Sequence, residues 1–167
     1  MGVVELVAAM AIVAILAGIG LPAFHGSLQH YRLATAMHEI GSHLAAARMA
    51  AISHGMPVSF CPADGDGGCR GDWEWTRGAL LYLDPGRAST PASPAHVLRQ
   101  TLRSPQGDLQ ILSSSGRRSV RFQPDGRSGG SNIRFRFCQG GRLVGEVVVN
   151  NTGRIRSART SGTQPCG

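Results

Sequence analysis

The stretch MGVVELVAAMAIVAILAGIGLPAF, residues 1–24, decides the fold. From Met1 to Leu21 it carries a single charge, Glu5, and no Lys or Arg. A run of this length and composition can span the ~30 Å hydrocarbon core of a bilayer as a helix. Pro22 lacks an N–H, so it is expected to interrupt or kink that helix. A lone carboxylate near the start of a membrane helix costs roughly 2.5–3.5 kcal/mol on an insertion scale, so Glu5 calls for a partner. A secretory signal would carry a basic n-region and a shorter apolar core. A generic anchor accounts for the composition but not for the placement of Glu5 and Pro22.

Beyond Pro22 the helix is expected to resume and run to about Ser53. Leu33, Met37, Ile40, Leu44, Ala47 and Ala51 recur at alternating steps of four and three, which makes one apolar stripe. His30, Arg32, His38, Glu39 and His43 lie mostly off that stripe. The second half of the helix is therefore amphipathic and is expected to pack on a globular domain. His54-Gly55 and Pro57 supply the stop. The expected organisation is an apolar segment over 1–24, an amphipathic half over 25–54 and a β-rich head over 55–167, with a soluble portion from about 27.

The first helix resembles that of type IV pilins and pseudopilins, where a glutamate falls at the fifth mature position and a proline commonly at the twenty-second. Counting Met1 as the first mature residue puts Glu5 and Pro22 there. Met1 stands where the family usually carries phenylalanine, and the family's basic leader would lie before it. The resemblance implies that Glu5 pairs with the N-terminal ammonium, here on Met1, of a neighbouring subunit, so that both charges are neutralised in the filament or membrane.

The remaining sequence is rich in glycine (23 residues) and poor in aromatics, which suits a turn-rich β domain. Net charge is +7, and all 17 basic residues are Arg. Residues 1–98 hold 5 Arg against 7 acidic residues, and residues 99–167 hold 12 Arg against 3. A C-terminal half this basic points to a polyanion, with nucleic acid first among candidates, or to an acidic neighbouring subunit. The 4 cysteines form no CxxC, which removes support for a zinc ribbon or thioredoxin site. Three pairings are open to them; the favoured one joins Cys61 to Cys69 across a short loop and Cys138 to Cys166 to hold the C-terminal tail.

Short strands are expected at Pro57–Phe60 and Gly78–Asp84, separated from the later ones by the polar loop 85–94. From His96 onward VLRQTLR, LQILSSS, SVRFQP, IRFRFC, LVGEVVVN and GRIRSAR alternate with glycine-rich turns and read as an antiparallel meander. Within Ile133–Phe137, Arg134 and Arg136 share one face. HEIGSH, at 38–43, comes close to a zinc-protease signature, but its histidines are five apart and lie about 140° apart around a helix. Asp64 and Asp66 lack the rest of a calcium loop. No nucleophile elbow, phosphate-binding loop, dinucleotide fingerprint or paired-carboxylate motif is present, so catalysis and a cofactor are not expected.

Together, the first helix, the helix end AAARMAAI (45–52), the Cys-bounded DG loop, the LYLD strand and the late TGRIR resemble the minor pilins and pseudopilins of the GspH/FimT family. The resemblance implies an α+β, pilin-like fold, a single-pass inner-membrane anchor with a periplasmic head, and other pilin or pseudopilin subunits as partners. Its FimT-like branch is associated with DNA capture in natural transformation through a C-terminal GRxR motif, which here is Gly153-Arg154-Ile155-Arg156. If extended, Arg154 and Arg156 point the same way about 7 Å apart. That is near the spacing of phosphates along one strand of nucleic acid. Gly153 permits a tight turn, and Arg159, Arg142, Arg134 and Arg136 could widen the patch. The alternatives are a solvated hairpin on a minor pilin that only primes assembly, and a GspH-like pseudopilin of type II secretion.

Overall fold

The computed structural model describes residues 2–104 and 107–166, without the side chains at 21–23 and 25. The chain divides after Thr35 into two compact units that share one helix. That helix, α1 (Val3–His54), runs through position 22 unbroken. The expected interruption at Pro22 therefore does not occur. Proline's fixed φ lies close to the helical value, and a lost hydrogen bond need not end the helix. Every residue from Gly2 to Gly20 is exposed. The span Val3–Gly20 is long and apolar enough to cross a membrane. Met1 lies outside the described residues. The Glu5 carboxylate accepts a hydrogen bond from the Gly2 backbone N–H at 3.0 Å.

In the second unit Met37, Ile40, Leu44, Ala47 and Ala51 are all buried, as the stripe requires. Gly55, at φ 62°, ends the helix; its N–H bonds the Ile52 carbonyl at 3.3 Å. Eight strands follow: β1 (Val58–Pro62), β2 (Gly78–Leu83), β3 (Val97–Leu102), β4 (Gln110–Ser113), β5 (Val120–Phe122), β6 (Ile133–Gln139), β7 (Arg142–Val149) and β8 (Ile155–Arg159). They form two four-stranded antiparallel sheets, ordered β3-β2-β1-β5 and β4-β6-β7-β8. The fold is thus α+β, with a long N-terminal helix and antiparallel sheets.

The strands fall where alternation places them, but the meander does not. β4 pairs with β6, while β5 crosses to the other sheet and pairs with β1. These two strands are only four and three residues long. Alternation says which of their residues face inward and nothing about the partner. A short 3-10 turn, Pro94–His96, also interrupts the polar loop before β3.

One aromatic group joins the sheets. Trp75 packs on Phe60 of β1 at 4.8 Å and edge-on against Phe135 of β6 at 4.9 Å. The helix packs on both sheets within this unit. His43 meets Phe60 at 5.9 Å, and an atom added to Gly145 of β7 would lie 2.7 Å from the Met37 sulfur. Leaving Gly145 without a side chain therefore lets helix and sheet approach.

Buried Asp84 ties the polar loop to the first sheet. It accepts hydrogen bonds from Ser59 Oγ at 2.6 Å, Arg121 Nε at 2.7 Å and the Ala88 N–H at 2.7 Å. A buried carboxylate needs such a full set of partners. The disulfides join Cys61 to Cys69 and Cys138 to Cys166.

Candidate nucleic-acid interface

The Gly-Arg-Ile-Arg segment forms the far side of the β7–β8 hairpin. The Gly153 N–H bonds the Asn150 carbonyl at 2.9 Å, and the Asn150 N–H bonds the Arg154 carbonyl at 3.1 Å. The Asn150 side chain accepts the Arg154 N–H at 2.9 Å, the local bonding that makes Asn a turn former. Gly153 is buried, with φ at +78°. A Cβ at this position would collide with the Gly126 carbonyl oxygen and approach Arg48 Nε to 3.3 Å. Glycine is thus required twice, by backbone conformation and by close packing.

Arg48 reaches up from the helix end beneath this turn. Its Nη1 donates to the Gly153 carbonyl at 3.3 Å, and its buried Nε has no partner among the described residues. The turn 123–128 completes the contact: the Ser128 N–H bonds the Asn151 carbonyl at 3.1 Å. Helix end, turn and hairpin therefore meet around Arg48. The alanine-rich helix end signals nothing of this on its own, because the contact depends on two segments distant in sequence.

Strand pairing sorts the expected arginines. Arg134 of β6 and Arg156 of β8 both lie opposite Val148 of β7. Their backbones are therefore two strand spacings apart, about 10 Å. Arg136 lies opposite Glu146 in the neighbouring row. These three side chains share the outer face of the second sheet, with Arg154 at its hairpin end. Arg142 begins β7 at the opposite end of that face. Arg159 lies opposite Gly145, whose face turns to the helix, so it falls on the other side of the edge strand from Arg156.

Bonding sorts them further. Arg134 is paired with Glu146 at 3.0 Å, and Arg142 donates to the Gly162 carbonyl at 3.4 Å. Arg136 is engaged as well. Arg154, Arg156 and Arg159 are exposed, and no described residue bonds their guanidinium groups. Elsewhere in the basic half, Arg121 is held by Asp84 and Arg103 by Glu39 at 2.5 Å. Arg117 donates to the carbonyls of Gly129 and Ser131, and burial lowers its pKa.

The other motifs take structural places. His43 is buried, with Nε2 3.4 Å from Thr101 Oγ1, whereas His38 is exposed. Asp64 Oδ1 accepts the N–H groups of Asp66 and Gly68 at 2.8 and 2.9 Å, which closes the disulfide loop on itself. Among the described residues no cluster of three metal-ligating side chains occurs.

A long N-terminal helix packed at its C-terminal end on antiparallel sheets is the architecture of pilin-like subunits, a structural class rather than a catalytic one. The family model described as type II transport protein GspH matches residues 36–153, and the chain belongs to that family of minor pilins and pseudopilins. The type IV minor pilin FimU of Pseudomonas aeruginosa (strain PAO1) superposes with a TM-score of 0.66 at 19% identity, over 83% of this chain and 98% of that one. The minor pseudopilin EpsH from the type 2 secretion system of Vibrio cholerae superposes with a TM-score of 0.50 at 12% identity, over 75% of this chain and 94% of that one. No curated protein sequence matches the chain.

Proposed function

We propose that this minor pilin binds DNA without sequence preference, through the exposed Arg154 and Arg156 of the β7–β8 hairpin, and serves DNA uptake. The carrying observation is availability: both side chains are exposed and unengaged on a turn whose shape Gly153, Asn150 and Arg48 fix. A planar guanidinium takes a phosphate through two parallel hydrogen bonds. Contacts of this kind go to the backbone, so affinity should fall with salt and vary little with sequence. Arg134, Arg136 and Arg142, which are already engaged, contribute their field, and Arg159, whose guanidinium bonds no described residue, lies on the other side of the edge strand from Arg156.

In this reading residues 1–24 anchor the chain once in the inner membrane, 25–54 continue the helix, and 55–167 form a periplasmic head. Glu5 meets the N-terminal ammonium of a neighbouring pilin or pseudopilin subunit. The second reading, a pseudopilin of type II secretion without DNA binding, is favoured by the description of the matching family.

Fluorescence anisotropy with a labelled 30-base-pair duplex separates the two, using the full chain in nonionic detergent from 50 to 200 mM salt. Arg154→Gln/Arg156→Gln should weaken binding and reduce the salt slope by up to about 1.8, which is 0.9 for each phosphate lost. An intact chain that binds no DNA at 50 mM salt overturns the proposal in favour of the secretion or assembly role.

A further inference from the structure

The turn Gln123–Ser128 lies against the GRIR hairpin and carries one more arginine. Gln123 N–H bonds the Arg127 carbonyl at 2.8 Å, and Gly126 N–H bonds the Gln123 carbonyl at 2.8 Å, so the turn is tightly closed. The Asp125 carboxylate accepts the Arg127 backbone N–H at 2.9 Å and is thereby committed to shaping the turn. On either side of Arg127 the chain touches the hairpin. The Gly126 carbonyl abuts Gly153, and the Ser128 N–H bonds Asn151 at 3.1 Å. Arg48 underlies both turns, with its Nε 3.0 Å from where a Cβ on Gly126 would stand. Arg127 is exposed, and its guanidinium bonds no described residue.

We propose that the 123–128 turn is the second half of the DNA-binding surface, and that Arg127 takes a backbone phosphate beside those taken by Arg154 and Arg156. This rests on the DNA-binding reading above and extends it to a residue outside the GRxR segment. Two turns locked edge to edge present arginines from separate segments, and a rigid mount lowers the ordering cost that long side chains otherwise bring to a contact. Arg118 is the contrasting case. It is also exposed, but it belongs to the β4–β5 connection and lines a groove with Arg117 and Arg121 that reaches the two-turn unit only at Gln123.

The same anisotropy titration decides the matter with the full chain as wild type, Arg127→Gln, Arg127→Lys, Arg118→Gln and Arg154→Gln/Arg156→Gln. Arg127→Gln should lower the salt slope by about 0.9, so that its loss of affinity is about 3.5-fold larger at 50 mM than at 200 mM salt. Arg127→Lys should retain the slope, because the charge remains. Arg118→Gln should match wild type. If Arg154→Gln/Arg156→Gln loses affinity while Arg127→Gln behaves like Arg118→Gln, the inference is overturned and the hairpin site stands alone. If wild type does not bind, both fail, and the basic surface answers to an acidic protein partner instead.

Discussion

Replacing Gly153 by alanine tests the packing that mounts the hairpin. Gly153 sits at φ +78°, where an L-residue costs roughly 1–2 kcal/mol. The added methyl also meets the Gly126 carbonyl oxygen and the Arg48 side chain. Backbone cannot swing away as a side-chain tip can, so overpacking should add about 1–3 kcal/mol. The expected loss of stability is therefore about 2–5 kcal/mol. Gly116→Ala supplies the reference: Gly116 has a similar φ of +83°, but nothing stands within 4 Å of its added methyl. That substitution should cost only the backbone part, roughly 1–2 kcal/mol. Chemical denaturation of the full chain in nonionic detergent, followed by tryptophan fluorescence, reads the difference, because Trp75 is buried between the sheets. Equal losses for Gly153→Ala and Gly116→Ala would refute the claim that two turns are pressed together over Arg48.

Two further outcomes follow from the same head. His43 has its pKa lowered, chiefly by burial and secondarily by Arg99 and Arg103, with Glu39 opposing. Its unfolded pKa is near 6.5, so the unfolded chain takes up the proton first as pH falls. The head should be steady above about pH 6.5 and lose stability below it, down to the folded pKa of His43. Denaturation midpoints from pH 7.5 to 5 check this, and His43→Gln should flatten that part of the curve. The disulfides should differ in weight because they close loops of different length. Chain-entropy arithmetic gives about 3.6 kcal/mol for Cys138–Cys166, 28 residues apart, and about 2.5 kcal/mol for Cys61–Cys69, 8 apart. Paired Cys→Ser variants compared by denaturant midpoint should rank in that order.

The helix and the strands were legible because their signals are local. The stripe Met37–Ile40–Leu44–Ala47–Ala51 reports a buried face by its spacing, and Arg134 and Arg136 report an outer face by their alternation with Ile133, Phe135 and Phe137. The crossing of β5 to β1 was not legible, since a three-residue strand carries an inward face but no address. At Pro22 the sequence predicts an interruption or a kink, and the helix continues through that position without interruption. Arg48 has a role that is not legible in the sequence. In AAARMAAI it has the look of a solvated charge, and its role exists only once Gly126 and Gly153 are brought over it.

The excess of arginine in the C-terminal half also means something narrower than its net charge suggests. Arg121 and Arg134 have their charge offset by Asp84 and Glu146 at 2.7 and 3.0 Å. Arg117 and Arg142 give donors to backbone carbonyls, which leaves their charge in the field but commits part of each guanidinium. Composition therefore sets how strongly a polyanion is drawn toward this half, an effect that salt screens over about 10 Å at 0.1 M. Close phosphate contact demands uncommitted donors, and near the hairpin those belong to Arg127, Arg154 and Arg156. Neutralising Arg134 should accordingly weaken long-range attraction about as much as neutralising Arg156, because each removes one positive charge and the former leaves Glu146 uncompensated, whereas only the loss of Arg156 also removes a phosphate contact.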